Sequence, residues 1–83
     1  MSKGLHISSL LLRAHPEALE RVTEEISSRT GAEAAVTDAS GKIIVTLESE
    51  DESEIVDCLN DFSLLDGVVS AALVYHEVIE PHS

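Results

Sequence analysis

The chain has few cations and one cysteine, and it lacks any long apolar run. Five lysines and arginines stand against 16 acidic residues, a formal net charge of -11 at pH 7. Such a chain repels a phosphate backbone, so we expect no nucleic acid partner. The lone Cys58 excludes an intramolecular disulfide. No apolar run approaches the roughly 18 residues of a membrane span, and the N-terminus has no signal-peptide core, so we expect a cytoplasmic protein without membrane insertion.

What the chain does have is enough apolar content to fold. Hydrophobic residues make up 43% of its 83 residues, and the mean hydropathy is +0.11. This content is too high for a disordered chain, and the length leaves room for one core. We therefore expect a single domain over residues 1–83.

The hydrophobic pattern predicts the element order β-α-β-β-α-β. Pro16 suits the first turn of a helix, and Ser49 with Glu52 forms a capping-box pattern at the start of a second helix. The predicted elements are a strand over residues 7–12, a helix over 16–30, strands over 32–37 and 42–48, a helix from 49, and a strand over 68–78. Two right-handed crossovers around a central hairpin give an α+β, ferredoxin-like fold, in which a four-stranded antiparallel sheet carries both helices on one face.

Strand alternation predicts which side chains point toward the helices. With residues 38–41 as the turn of the hairpin, Thr37 lies opposite Lys42 and Ala35 opposite Ile44. The core face of the hairpin then collects Ala32, Ala34, Val36, Ile43, Val45 and Leu47. The core sets predicted for the first and last strands are Ser8, Leu10 and Leu12, and Val69, Ala71, Leu73 and Tyr75.

The opposite face of the sheet has no element left to cover it. By the same alternation it carries Ile7, Ser9, Leu11, Arg13, Ala35, Thr37, Ile44, Thr46, Glu48, Val68, Ser70, Ala72, Val74 and His76. Ile7, Leu11, Ile44 and Val74 would form a shallow apolar platform beside the acidic run 48–54, which would suit an amphipathic cationic peptide. An ordinary half-wet antiparallel sheet is the alternative.

Three strings of the sequence resemble the NapD family. They are His-Ile-Ser-Ser-Leu-Leu-Leu-Arg-Ala at 6–14, Ser-Gly-Lys-Ile-Ile-Val-Thr-Leu-Glu-Ser-Glu-Asp at 40–51, and Gly-Val-Val-Ser-Ala-Ala-Leu-Val-Tyr-His at 67–76. The resemblance implies a small cytoplasmic chaperone for the catalytic subunit of periplasmic nitrate reductase. Such a chaperone binds the twin-arginine (Tat) signal peptide of the subunit and delays export until the molybdenum cofactor and iron-sulfur cluster are installed.

The resemblance also implies where the peptide binds. The implied signal-peptide-binding residues are Ile7, Ser9, Leu11, Ile44, Thr46, Glu48, Ala72, Val74 and His76. Glu48, with Glu33 or Glu50 nearby, would receive an arginine, whereas Arg13 departs from the neutral residue expected at its position and would repel a cationic ligand. A weak homodimer through the uncovered face is left open.

Catalysis and metal binding have little support in the sequence. There is no C-x-x-C, no H-x-x-x-H, no G-x-S-x-G elbow and no glycine-rich phosphate loop. Alternation places His6 and His76 on opposite faces. We therefore expect a non-enzymatic protein with no metal and no cofactor.

One alternative function comes from a different class. Small regulatory domains of the amino-acid-sensing (ACT-like) type share the element order. They need a ligand loop after the first strand, and Arg13-Ala14-His15-Pro16 is short for one and lacks the expected Gly or Asp.

Overall fold

A computed structural model describes residues 4–80, and these form the predicted element order. The strands are β1 (Leu5–Ala14), β2 (Ala32–Thr37), β3 (Lys42–Ser49) and β4 (Val68–Ile79), and the helices are α1 (Leu19–Ser27) and α2 (Glu52–Ser63). A short 3-10 turn, Pro16–Ala18, precedes α1. The sheet order is β2-β3-β1-β4 with every pairing antiparallel. The predicted ferredoxin-like α+β fold is confirmed.

The core lies between the sheet and the two helices. On the central strand β1, Leu10 and Leu12 are fully buried, as the alternation predicts. The other buried apolar residues are Ala14, Ala18, Val22, Ile26, Ile43, Val45, Leu47, Ile55, Cys58 and Phe62. Removing these side chains from water is the main term that stabilises the fold. Neither helix in residues 4–80 is long and apolar enough to cross a membrane.

The second helix begins later than the capping-box pattern predicts. Asp51 is the N-cap, and its Oδ1 accepts a 2.9 Å hydrogen bond from the backbone N–H of Ser53. Ser49 lies at the end of β3, where its Oγ accepts from the backbone N–H of Asp51 at 3.0 Å. The predicted Ser49 cap is therefore wrong: an aspartate two residues later satisfies the free N–H groups of the first turn.

The turn of the β2–β3 hairpin is one residue shorter than predicted. Asp38 N–H donates to Lys42 O at 2.9 Å, and Gly41 N–H donates to Asp38 O at 2.8 Å, which closes a loop of three residues. Gly41 has φ +104°, the left-handed conformation that such a loop requires at this position. Thr37 consequently lies opposite Ile43, and the prediction that it lies opposite Lys42 is wrong.

A bulge at Ala35 restores the predicted register further along the hairpin. Val36 lies opposite Ile44, whereas Ala34 lies opposite Val45 as predicted. Ala35 is the extra residue between them, so its predicted pairing with Ile44 is wrong. Val36 is correspondingly 58% exposed, and its predicted place in the core is also wrong.

A second bulge changes the predicted alternation of β4. Leu10 of β1 lies opposite Leu73, but Ser9 lies opposite Tyr75, so Val74 has no partner in the pairing. Beyond the bulge, Tyr75 and His76 each point to the opposite face from the one predicted. Tyr75 lies on the uncovered face and is 51% exposed, so its predicted place in the core is wrong.

The same shift corrects the prediction for His76. His76 lies opposite Ser8, which is completely buried on the face that the helices cover. Its Nε2 is 3.1 Å from Nδ1 of His6, and the two rings are nearly perpendicular. The prediction that His76 lies on the uncovered face is therefore wrong, as is the prediction that the two histidines lie on opposite faces.

A further shift lies at the other end of β4, between Arg13 and Ala14 of β1. Val68 lies opposite Ala14 and packs against the core, although it was predicted to be uncovered. Val69 was predicted to be buried and is 63% exposed. Of the predicted β4 core set, Ala71 packs against the core, whereas Val69, Leu73 and Tyr75 are exposed.

Candidate functional site

The side of the sheet that faces away from the helices, which we call the open face, is built around β1. Its residues Ile7, Ser9, Leu11 and Arg13 alternate with the buried residues of the same strand. Each of these β1 residues lies between one residue of β3 and one residue of β4. We call each such group of three residues a row. The rows are Glu48–Ile7–Glu77, Thr46–Ser9–Tyr75, Ile44–Leu11–Ala72 and Lys42–Arg13–Ser70.

One end of the open face is acidic. Glu48 and Glu77 flank Ile7 from the two neighbouring strands, and Glu33 lies opposite Thr46 on the next strand out. All three glutamates are exposed. In a row of this kind, the two flanking residues are about 10 Å apart, because each strand is roughly 4.8 Å from the next. The end can therefore present separate carboxylates to two neighbouring cations.

A shallow cleft of about 260 Å³ opens beside Glu48. It is lined by Gly31, Ala32, Glu33, Thr46 and Glu48. Gly31, the last residue of the connection between α1 and β2, lies directly against β3, and its carbonyl accepts a hydrogen bond from Glu48 N–H at 2.9 Å. With φ +86°, a side chain at Gly31 would be strained, and its Cβ would lie 2.6 Å from Glu48 O. This close approach shapes the cleft that places Glu33 and Glu48 side by side.

Tyr75 and Glu77 extend the acidic end onto β4. The Tyr75 hydroxyl donates a 2.7 Å hydrogen bond to Glu77 Oε1, and this bond raises the pKa of Tyr75 above its usual value. A guanidinium near them would meet a carboxylate and the face of an aromatic ring, two groups that attract it. Simple alternation places Tyr75 in the core and does not select Glu77, because it does not reveal the bulge at Val74.

The middle of the open face is apolar. Leu11 and Ile44 are half-buried, and Ala72 and Val36 are exposed beside them. Val36 joins this group because of the Ala35 bulge, which places it opposite Ile44. The result is a small aliphatic surface in contact with water, one strand row away from Thr46 and Ser9.

The structure brings most of the predicted site residues together. Ile7, Ser9, Leu11, Ile44, Thr46, Glu48 and Ala72 all lie on the open face. Val74 is 57% exposed at the bulge of the outer strand, without a partner in β1. His76 lies on the other face and is not part of this surface.

Reactive groups in the described part of the chain give no sign of a catalytic centre. Within residues 4–80, no three His, Cys, Asp or Glu side chains are grouped so that they could hold a metal ion. Cys58 is buried on the inner side of α2, and burial raises the pKa of its thiol, which disfavours the nucleophilic thiolate.

The connection after β1 is too short for the loop that a regulatory ligand would need. His15 alone separates β1 from the 3-10 turn, and its backbone N–H donates a hydrogen bond to Gly67 O at 2.9 Å.

Fold and surface together define a split β-α-β domain whose sheet is covered on one side and open on the other. The family model described as NapD protein matches residues 5–80. The chain belongs to the NapD family, and the resemblance noted in the sequence is confirmed.

Known relatives are similar over nearly the whole chain. Chaperone NapD of Escherichia coli K12 is 31% identical over 78 residues, which cover 93% of this chain and 90% of the relative. Chaperone NapD of Haemophilus influenzae is 26% identical, covering 92% and 83%. The solution structure of the E. coli Tat proofreading chaperone protein NapD superimposes with a TM-score of 0.83, covering 93% of this chain and 82% of that one. A chaperone role is non-enzymatic, so the prediction that the protein is not an enzyme is confirmed.

Proposed function

We propose that this protein is a cytoplasmic chaperone that binds the twin-arginine signal peptide of the catalytic subunit of periplasmic nitrate reductase. The name of its structural relative, a Tat proofreading chaperone, supports the class of ligand. Binding would prevent export of the subunit until its cofactors are inserted. The observation that carries the proposal is the open face, where an apolar surface adjoins exposed carboxylates.

The order of groups on the open face matches the chemistry of such a peptide. A twin-arginine signal has adjacent arginines followed by an apolar stretch. The carboxylates of Glu48 and Glu33 border the cleft and would receive a guanidinium, while Leu11 and Ile44 would contact the apolar stretch. Both parts of the peptide then find a complementary surface on one rigid sheet.

The strength of the arginine contact depends on how much water the peptide displaces. A charge-assisted hydrogen bond contributes roughly 1.5 to 3 kcal/mol when it is partly desolvated, and an exposed ion pair about 0 to 1 kcal/mol. Glu48 is exposed in the free protein, so its contribution would come mainly from the apolar segment covering the neighbouring surface. We expect the two parts of the peptide to bind cooperatively for this reason.

The mechanism is occlusion. While the arginines and the apolar stretch lie on the sheet, the export machinery cannot reach them. No chemical step is needed, and the chaperone acts through the lifetime of the complex. Release requires a change in the bound precursor that weakens its contacts with the open face.

Calorimetric titration with a synthetic leader of the nitrate reductase subunit tests the proposal. We expect saturable binding, weakened about tenfold or more when both arginines of the leader are changed to glutamine. Glu48→Gln should weaken binding of the arginine leader and leave binding of the glutamine leader nearly unchanged. Glu24→Gln, on the exposed side of α1, is the matched control and should bind like the unmodified protein. Equal affinity for the two leaders would contradict the proposal.

A further inference from the structure

Two of the four cationic side chains in residues 4–80 are paired with a carboxylate, and two are not. Residues 4–80 contain four lysines and arginines. Arg21 lies 3.9 Å from Asp66, and Arg29 is hydrogen-bonded to Asp61. The other two, Arg13 and Lys42, form no ion pair within this part of the chain and lie directly opposite each other on the open face.

Like charges opposite each other destabilise a sheet, so their pairing is not explained by stability. The neighbouring acid is Asp38, whose pKa is lowered most by its hydrogen bond from the backbone N–H of Ser40, and the charge of Lys42 is the smallest of the causes. Its Oδ1 accepts from that N–H at 2.9 Å, inside the hairpin loop. The carboxylate of Asp38 is therefore engaged within the hairpin loop, and it forms no ion pair with Lys42 or Arg13 among residues 4–80.

The open face consequently carries negative charge at one end and positive charge at the other. Along β1, Ile7 lies in the row that carries Glu48 and Glu77, and Arg13 lies in the row that carries Lys42. The two rows are six positions apart along β1, which is about 20 Å along a strand. The aliphatic surface lies between them. A ligand on this face therefore meets carboxylates, then apolar groups, then cations.

We propose that this polarity fixes the direction of the bound signal peptide and selects the charge of the residues after its apolar stretch. The arginines lie at the end formed by Glu48 and Glu77, and the apolar stretch runs toward Arg13 and Lys42. A positive charge after the apolar stretch is repelled there, and a negative charge is attracted. This inference rests on the proposed function and adds to it a direction and a specificity determinant.

Paramagnetic labels on the leader test the direction. A nitroxide attached before the arginines should broaden the NMR signals of Ile7 and Glu77, and one attached after the apolar stretch should broaden those of Arg13 and Ser70. The reverse pattern, or broadening of both ends by each label, would overturn the inference while leaving the proposed function intact. A leader that does not bind at all would instead refute the proposed function, and the direction with it.

Charge variants test the selectivity. A leader with a lysine added after the apolar stretch should bind about 1.5- to 5-fold more weakly than the original, and one with a glutamate there more tightly, as expected for exposed charges. The double variant Arg13→Gln with Lys42→Gln should lose this discrimination and still bind the original leader. Arg21→Gln, on α1, is the matched control and should keep it. A double variant that discriminates as strongly as the unmodified protein would overturn the inference.

Both substituted side chains are exposed strand residues, so the double variant should fold. Its thermal midpoint should equal or exceed that of the unmodified protein, since the substitutions remove a like-charge pair. Binding of the original leader provides the second check that the open face is intact.

Discussion

At the scale of single residues, the least expected feature is Tyr75. It is the only tyrosine of the chain, and it lies on the open face with its hydroxyl bonded to Glu77. The bond is made by the protonated phenol, so it is present below the usual tyrosine pKa and is lost as the pH rises through the raised pKa. Because the chain also lacks tryptophan, its phenol absorbance reports on this one site.

Spectrophotometric titration of the phenol should therefore give a single transition above the usual midpoint of about 10. Glu77→Ala removes the acceptor and should lower the midpoint, because the protonated form loses its hydrogen bond. Glu48→Ala removes a carboxylate that makes no contact with Tyr75 and serves as the control. An unchanged midpoint in Glu77→Ala would show that the bond does not form in solution.

The buried hydroxyl of Ser8 leads to a second prediction for a single residue. Its hydroxyl is completely buried between the sheet and the helices and has no hydrogen-bond partner within residues 4–80. Burying an unpaired hydroxyl is unfavourable, so Ser8→Ala should raise the free energy of unfolding by about 1 kcal/mol in denaturant titrations. Ser9→Ala, its neighbour on the open face, should change it by less than about 0.5 kcal/mol. A loss of stability in Ser8→Ala would mean that the hydroxyl is paired.

At the scale of elements, the β2–β3 hairpin depends on a glycine. Gly41 has φ +104°, and a Cβ at this position would lie 2.0 Å from Ala14 O. The same loop is fastened to β1 by the hydrogen bond from Ala14 N–H to Gly41 O, 2.8 Å long. A side chain here would push the loop away from β1 and the hairpin out of register.

Gly41→Ala should accordingly lower the free energy of unfolding by more than about 1 kcal/mol, measured by chemical denaturation. Ala39→Ser, in the same loop and exposed, is the control and should be nearly neutral. A neutral Gly41→Ala variant would be incompatible with this turn geometry.

The sequence predicts the order of the helices and strands well, and it predicts the faces of two strands poorly. The element order and the buried face of β1 follow from hydrophobic periodicity and turn residues, and both were predicted correctly. The faces of β2 could be predicted only before its bulge, and those of β4 only between its two register shifts. The residue types of Ala35 and Val74 do not indicate that these positions form bulges, because a bulge is set by how neighbouring strands twist and pack. Tyr75 and His76 were consequently assigned to each other's faces.

For the whole molecule, the net charge and the open sheet support the proposal that this small domain binds a cationic peptide. A formal charge of -11 attracts an arginine-rich segment from a distance, and the attraction weakens as salt is added. Family membership and charge were readable from the sequence. The row of Glu48, Ile7 and Glu77 was not, because it depends on the pairing of three strands that are distant in sequence.

The most direct test of the central claim is an NMR titration of labelled protein with the twin-arginine leader. Shifts should concentrate on open-face residues of the three strands, notably Ile7, Ser9, Leu11, Ile44, Thr46, Tyr75 and Glu77. They should weaken with the leader in which both arginines are glutamine. Shifts centred on the exposed surfaces of α1 and α2, or no saturable shifts, would contradict the claim that the open face is the binding site.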